Sequence, residues 1–183
     1  MHTIKETQRI YALLRWGAFA LRPLTVCEVT EAVLIHEAED LPIDDLVDPV
    51  DDDYIDSEIV GICGPLLEAR SQHSNTSAGL RTVHLTHFSV KQYLLCNLPN
   101  ERLRDEYQNI LLAKACLHYI NIQRVWQESP GHPPCLDMTF RDYAAASWHH
   151  HIKPGLHTDG EMSTLAITAL CIMFATACLH VFV

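Results

Sequence analysis

A mainly α-helical chain with one two-stranded β ribbon is predicted from three features of its 183 residues. Apolar residues recur at helical spacing in several stretches, and two short runs, 66–71 and 80–86, read as strands on either side of a polar turn. Hydrophobic residues make up 48% of the chain, enough to bury a core in one domain or two small ones.

The elements follow in order. Ile10, Leu13, Leu14, Gly17, Ala18 and Leu21 fall at i, i+3, i+4, i+7, i+8 and i+11, one face of a helix that Pro23 closes. A second helix starts near Val26. Thr25 and Glu28 have the spacing of a capping box, and Leu24 and Val29 occupy the two positions of a hydrophobic staple. Ile55, Ile59, Ile62 and Cys63 mark a short third helix, stopped by Gly64, suited to a left-handed C-terminal position, and by Pro65. "LLEARS" (66–71) can run extended, "QHSNTSAG" (72–79) is turn material, and "LRTVHLT" alternates with Val83 and Leu85 on one side.

Residues 101–122 carry Ile110, Ala113, Leu117 and Ile120 at helical spacing, and "ESPGHPP" (128–134) interrupts the pattern. A further helix begins near Phe140, with Thr139 and Asp142 as capping box and Met138 and Tyr143 as staple. The order is that of a winged helix: a three-helix helix-turn-helix core and a two-stranded β wing, followed by additional helices. The expected division is a winged-helix domain over 1–98, a helical extension over 99–160 and an apolar C-terminal helix or tail over 161–183.

Thirteen Lys and Arg against 23 Asp and Glu give a formal charge of −10, which opposes the phosphate attraction behind most nonspecific nucleic-acid affinity. Eleven acids lie between Glu37 and Glu58 with no Lys or Arg among them, the pattern of a solvated loop. "DPVDDDYIDSE" lacks the glycine-centred loop and terminal bidentate Glu of a calcium site. Seven cysteines, an odd number without any CxxC, read as reduced buried thiols of a cytosolic protein. "MHTIKETQRIYALLRW" has no apolar core of signal-peptide length, so the expected location is cytoplasmic.

"HLTHFSVKQYLLCN" (84–97) invites a metal reading. On a strand, however, His84 and His87 point to opposite faces, and zinc needs three or four ligands. Ser89 and Gln92 are at capping-box spacing and Phe88 and Tyr93 at staple positions, so the stretch reads as a strand-to-helix junction. Val90, Tyr93 and Leu94 would face inward, with Lys91 and Gln92 outside.

These stretches, "ALLRWGAFALRPLTVCEVTEAVLI" (12–35), "IVGICGPLLEAR" (59–70), "VHLTHFSVKQYLL" (83–95), "ACLHYI" (115–120) and "YAAASWHHH" (143–151), together resemble the winged-helix region that follows the NTPase domain in fungal NACHT and ankyrin-repeat proteins. The same module is described as similar to the winged helix of GPI inositol-deacylase. The resemblance implies a regulatory or connecting module that packs against an NTPase domain or an ankyrin-repeat region. It brings no catalytic, cofactor-binding or metal residue, so none is expected. No G-x-x-x-x-G-K-[ST] loop, G-x-S-x-G elbow or "TPLHxA" signature is present, so the chain looks like a fragment of a longer relative.

In "WHHH" (148–151), adjacent helical positions diverge by about 100° and cannot share one ion; they read as a polar helix end favoured by the C-terminal dipole. A pairing of His149 with Cys135 stays open. In "LAITALCIMFATACLHVFV" (165–183), only Thr168, Thr176 and His180 are polar. A helix buried in the protein or in a partner, a membrane anchor through 165–183, and an aberrant reading frame are the three readings of it. Nucleic-acid binding is the runner-up function, disfavoured by the missing Lys and Arg over 55–63.

Overall fold

The computed structural model describes residues 4–37, 50–71, 73, 75–96, 105–126, 140–152 and 160–181. Helix α1 (Ile4–Phe19) leads through Thr25 to α2 (Val26–Glu37). After α3 (Asp52–Tyr54) the chain continues as a π-helix (Ile55–Gly61), then as strands β1 (Leu67–Arg70) and β2 (Thr82–Leu85). Helices α4 (Phe88–Cys96), α5 (Asp105–Asn121), α6 (Phe140–His151) and α7 (Gly160–Val181) complete the described chain. The architecture is mainly helical with a small two-stranded antiparallel sheet.

The start of α2 is built as its sequence demands. The Thr25 backbone N–H donates to Glu28 Oε2 at 2.8 Å, and the Glu28 N–H donates to Thr25 Oγ1 at 3.2 Å, closing both halves of the capping box. Leu24 and Val29 are both buried beside it. Arg22 grips the same carboxylate at 2.6 and 2.9 Å and lays its guanidinium 5.1 Å over the Tyr143 ring.

In α1 the buried stripe is wider than the spacing suggested. Ala12, Trp16 and Phe19 join Leu13, Leu14 and Ala18 in the core. Leu21 lies beyond the helix end and is 52% exposed, which corrects its placement on the inner face. The tryptophan serves a cluster assembled from three helices. Phe140 meets Trp16 edge-on at 5.2 Å and Tyr119 at 5.1 Å, and stacks on Tyr143 at 5.5 Å.

The third helix is present but differs in winding. Asp51 caps it by accepting the Tyr54 N–H at 2.8 Å, and from Ile55 each turn takes in one more residue than an α-turn. Buried Ile55, Ile59 and Cys63, four residues apart, stay closer to one line at this wider pitch. Arg9 and Thr30 hold its entrance, each 3.1 Å from the Tyr54 hydroxyl. The stop is the predicted one: Gly64 has φ of +60°, where other residues are strained, and Pro65 follows.

A Cβ on Gly61 would collide with the Asp56 carbonyl five residues back. Gly61→Ala is therefore expected to cost about 2 kcal/mol in urea unfolding, a magnitude typical of overpacking. An unchanged midpoint would show that the π turn rewinds freely.

The ribbon is antiparallel, with Leu67 opposite Leu85 and Arg70 opposite Thr82. Thr25, just before α2, forms an isolated bridge to Thr82, with the Val26 N–H on Arg81 O and the Val83 N–H on Leu24 O, each 2.8 Å. These bonds tie the ribbon to the helices. Leu67 and Val83 turn inward and join a single buried cluster with α1, α2, α5, α6 and α7. Helix α5 lies at its centre, burying Gln108, Leu112, Ala113, Cys116, Leu117, Tyr119 and Ile120.

Helix α7 packs one side on this body. Met162 and Ala169 are buried, Asn121 donates to Leu165 O at 3.1 Å, and Lys114 pairs with Glu161. Among the described residues no helix is long and apolar enough to cross a membrane.

Candidate interaction surfaces

The junction at His84 and His87 resolves into two separate histidines. His84, inside β2, shares a 2.8 Å hydrogen bond with Thr82 Oγ1. Partial burial, then the nearby Arg70, hold its pKa below the usual histidine value, against a smaller opposing effect of Glu68. β2 ends at Leu85, so His87 stands outside the strand as the cap of α4. Its Nδ1 accepts the Ser89 N–H at 3.2 Å and meets Ser89 Oγ at 2.7 Å, while its carbonyl takes the Val90 N–H at 3.1 Å. The capping role expected of Ser89 thus falls to His87, because the helix begins two residues earlier than the Ser-x-x-Gln spacing suggests.

The staple also fails to form. Phe88 is 68% exposed, its ring tilted against the His87 ring at 4.4 Å, and Tyr93 is 62% exposed. The inner side of α4 is instead Val90, Lys91, Leu94 and Leu95, all half-buried. Lys91, expected outside, places its ammonium 4.9 Å from the Phe19 ring centroid. That contact takes the place assigned to Tyr93, and two aromatic rings are left facing solvent.

A different face is formed by α3 and the π segment. Asp51, Asp52, Asp53, Asp56 and Ser57 are exposed and no Lys or Arg occurs over 50–63. The arginines flanking the ribbon are committed elsewhere, Arg70 to Glu68 and Arg81 to Asp52. This surface repels phosphate.

Comparison with protein-family models, curated proteins and solved structures finds no match for the chain.

Among the described residues, two polar joints in the interior link helices that are distant in the sequence. In the first, the Glu31 carboxylate accepts the Tyr119 hydroxyl at 2.5 Å and the Phe140 backbone N–H at 3.1 Å, joining α2 to α5 and to the start of α6. Burial first, and then Glu31, push the Tyr119 phenol well above its usual range, so it remains a donor. Thr139 and Met138, the expected cap and staple residues, lie outside the described residues; Asp142 is exposed beside Arg141 at 3.4 Å.

In the second joint, His151 is fully buried, with Nε2 3.1 Å from the Tyr143 hydroxyl and Nδ1 2.9 Å from Asn109 Oδ1. The Leu21 N–H donates to the same Tyr143 oxygen at 3.0 Å. Burial, reinforced by His150, pulls the His151 pKa down to about 4, while burial lifts Tyr143 to about 12. This corrects the reading of 149–151 as a uniformly polar helix end. His149 and His150 are exposed, but His151 is a neutral core residue. The signal was available, since Phe140, Tyr143, Ala144, Ser147 and His151 fall at i, i+3, i+4, i+7 and i+11 and all are buried.

Among the described residues no group of three or more His, Cys, Asp or Glu could hold a metal ion. Cys27, Cys63 and Cys116 are buried thiols, and burial raises the Cys63 thiol to about 12 despite Arg9 nearby. Cys171 is free and exposed; Cys135, considered with His149, lies outside the described residues.

Proposed function

We propose that the chain is a non-enzymatic winged-helix interaction module, of the kind that joins an NTPase domain to ankyrin repeats in fungal NACHT proteins. The observation that carries this reading is the Thr25–Thr82 bridge. It fastens the two-stranded ribbon to the start of α2, so helices and ribbon form the joined unit that a wing on a helix-turn-helix core requires. The acidic outer face of α3 and the π segment supports a protein partner over nucleic acid, because a groove-reading helix needs cations where this one has Asp52, Asp53 and Asp56. Phe88 and Tyr93 are the side chains offered to that partner, since exposed aromatics are the usual anchors of such contacts.

Mixed with the NTPase domain of a full-length NACHT relative, the chain is expected to co-elute in gel filtration. Phe88→Ala and Tyr93→Ala should each weaken the complex roughly tenfold, and duplex DNA should stay unshifted at about 50 mM salt. Retardation of DNA without any complex with the NTPase domain would overturn the proposal.

A further inference from the structure

Helix α7 carries two apolar stripes, and the fold uses one. Met162, Leu165, Ala166, Ala169 and Met173 lie on the body. Ile167, Leu170 and Phe174 do not: Ile167 is 64% and Phe174 69% exposed, with Cys171 exposed between them. Their spacing of three and then four continues in the sequence to Ala177 and Val181, the repeat of a helix-pairing seam.

We propose that α7 of a second copy of this chain covers the outer stripe. Charge supports that occupant. From Met162 to Val183 the sequence holds no Asp, Glu, Lys or Arg, so two chains of formal charge −10 can meet along this line without opposing like charges. The stripe offers nothing to complement a charged partner, and no basic residue to hold an anionic lipid surface. Size points the same way. A specific contact needs about 800 Å² from each partner, more than Ile167, Leu170 and Phe174 supply alone. A matching helix alongside all of α7, about 33 Å, extends the contact over the whole seam. Self-pairing supplies a helix of that length with a stripe of the same chemistry.

The test is sedimentation equilibrium of the full chain at micromolar concentrations. A dimer that dissociates on dilution is expected. Ile167→Glu and Phe174→Glu should each weaken it at least about a hundredfold, since each buries a carboxylate without a partner, whereas Thr168→Glu, exposed and about 100° round the helix from Ile167, should leave it intact. Phe174→Ala guards against a folding defect, and should weaken the dimer while helical circular dichroism and melting stay unchanged. A monomeric wild-type chain, a dimer that survives in both Glu variants, or a monomer that floats with neutral phosphatidylcholine vesicles would each sink the proposal.

Discussion

Glu31→Ala is expected to lower stability by about 3 kcal/mol, because hydrogen bonds to a charged group are each worth roughly 1.5–3 kcal/mol and two are lost together. The Tyr119 hydroxyl and the Phe140 N–H both depend on this carboxylate, and both would remain buried without it. For a chain of this size the loss corresponds to a melting temperature lower by about 6–12 °C. Tyr119→Phe removes one of the two bonds and leaves Phe140 satisfied, so it should cost only about 1.5 kcal/mol. Thermal unfolding of both variants separates the two effects. Equal losses would show that the carboxylate does not cap α6 in solution.

The second large effect is with pH. His151 has an ordinary pKa of 6.5 when unfolded and about 4 in the fold. Between those values the unfolded chain binds a proton that the folded chain refuses, so unfolding is favoured as pH falls. The stability tied to neutral His151 is complete above about pH 6.5, declines through that window, and amounts to no more than about 3 kcal/mol in all. The groups facing the ring are Tyr143 and His150 from its own helix and Asn109 from α5; the protonated ring would leave one N–H aimed at a hydroxyl that now donates to it. Urea unfolding at a series of pH values, compared with His151→Leu, isolates the effect. The variant should be weaker at pH 7 by about 1–3 kcal/mol yet show a shallower decline towards pH 4. Parallel pH curves would assign the acid sensitivity to other groups.

Local chemistry was legible in the sequence. Thr25 and Glu28 are three residues apart, so both bonds of the capping box can be written from the sequence, and Gly64 before Pro65 announces its own left-handed turn. The ribbon followed from alternation and a polar turn. Features set by distant partners were not legible. The burial of His151 depends on Asn109, 42 residues earlier, and on a tyrosine that also reaches Leu21. Tyr93 is exposed on a helix whose Lys91 lies against the Phe19 ring, an apolar-surface use of a cation that hydrophobic periodicity counts as polar. The π winding over Ile55–Gly61 has no sequence signature, because apolar spacing of four is compatible with either helix. Of the surfaces, the acidic one can be read directly, whereas Phe88 and Tyr93 stand at staple positions in the sequence and only their exposure marks them as a surface.

The hydrogen bond between the Leu21 N–H and the Tyr143 oxygen spans 122 residues. At a synthesis rate of about 5–20 residues per second, its second half leaves the ribosome on the order of ten seconds after its first. For that interval Trp16 has neither Phe140 nor Tyr143 to pack against. Newly made α1 must therefore wait without two of the rings that pack on its indole, a period in which a chaperone or a second nascent chain has access to a surface that the finished molecule conceals.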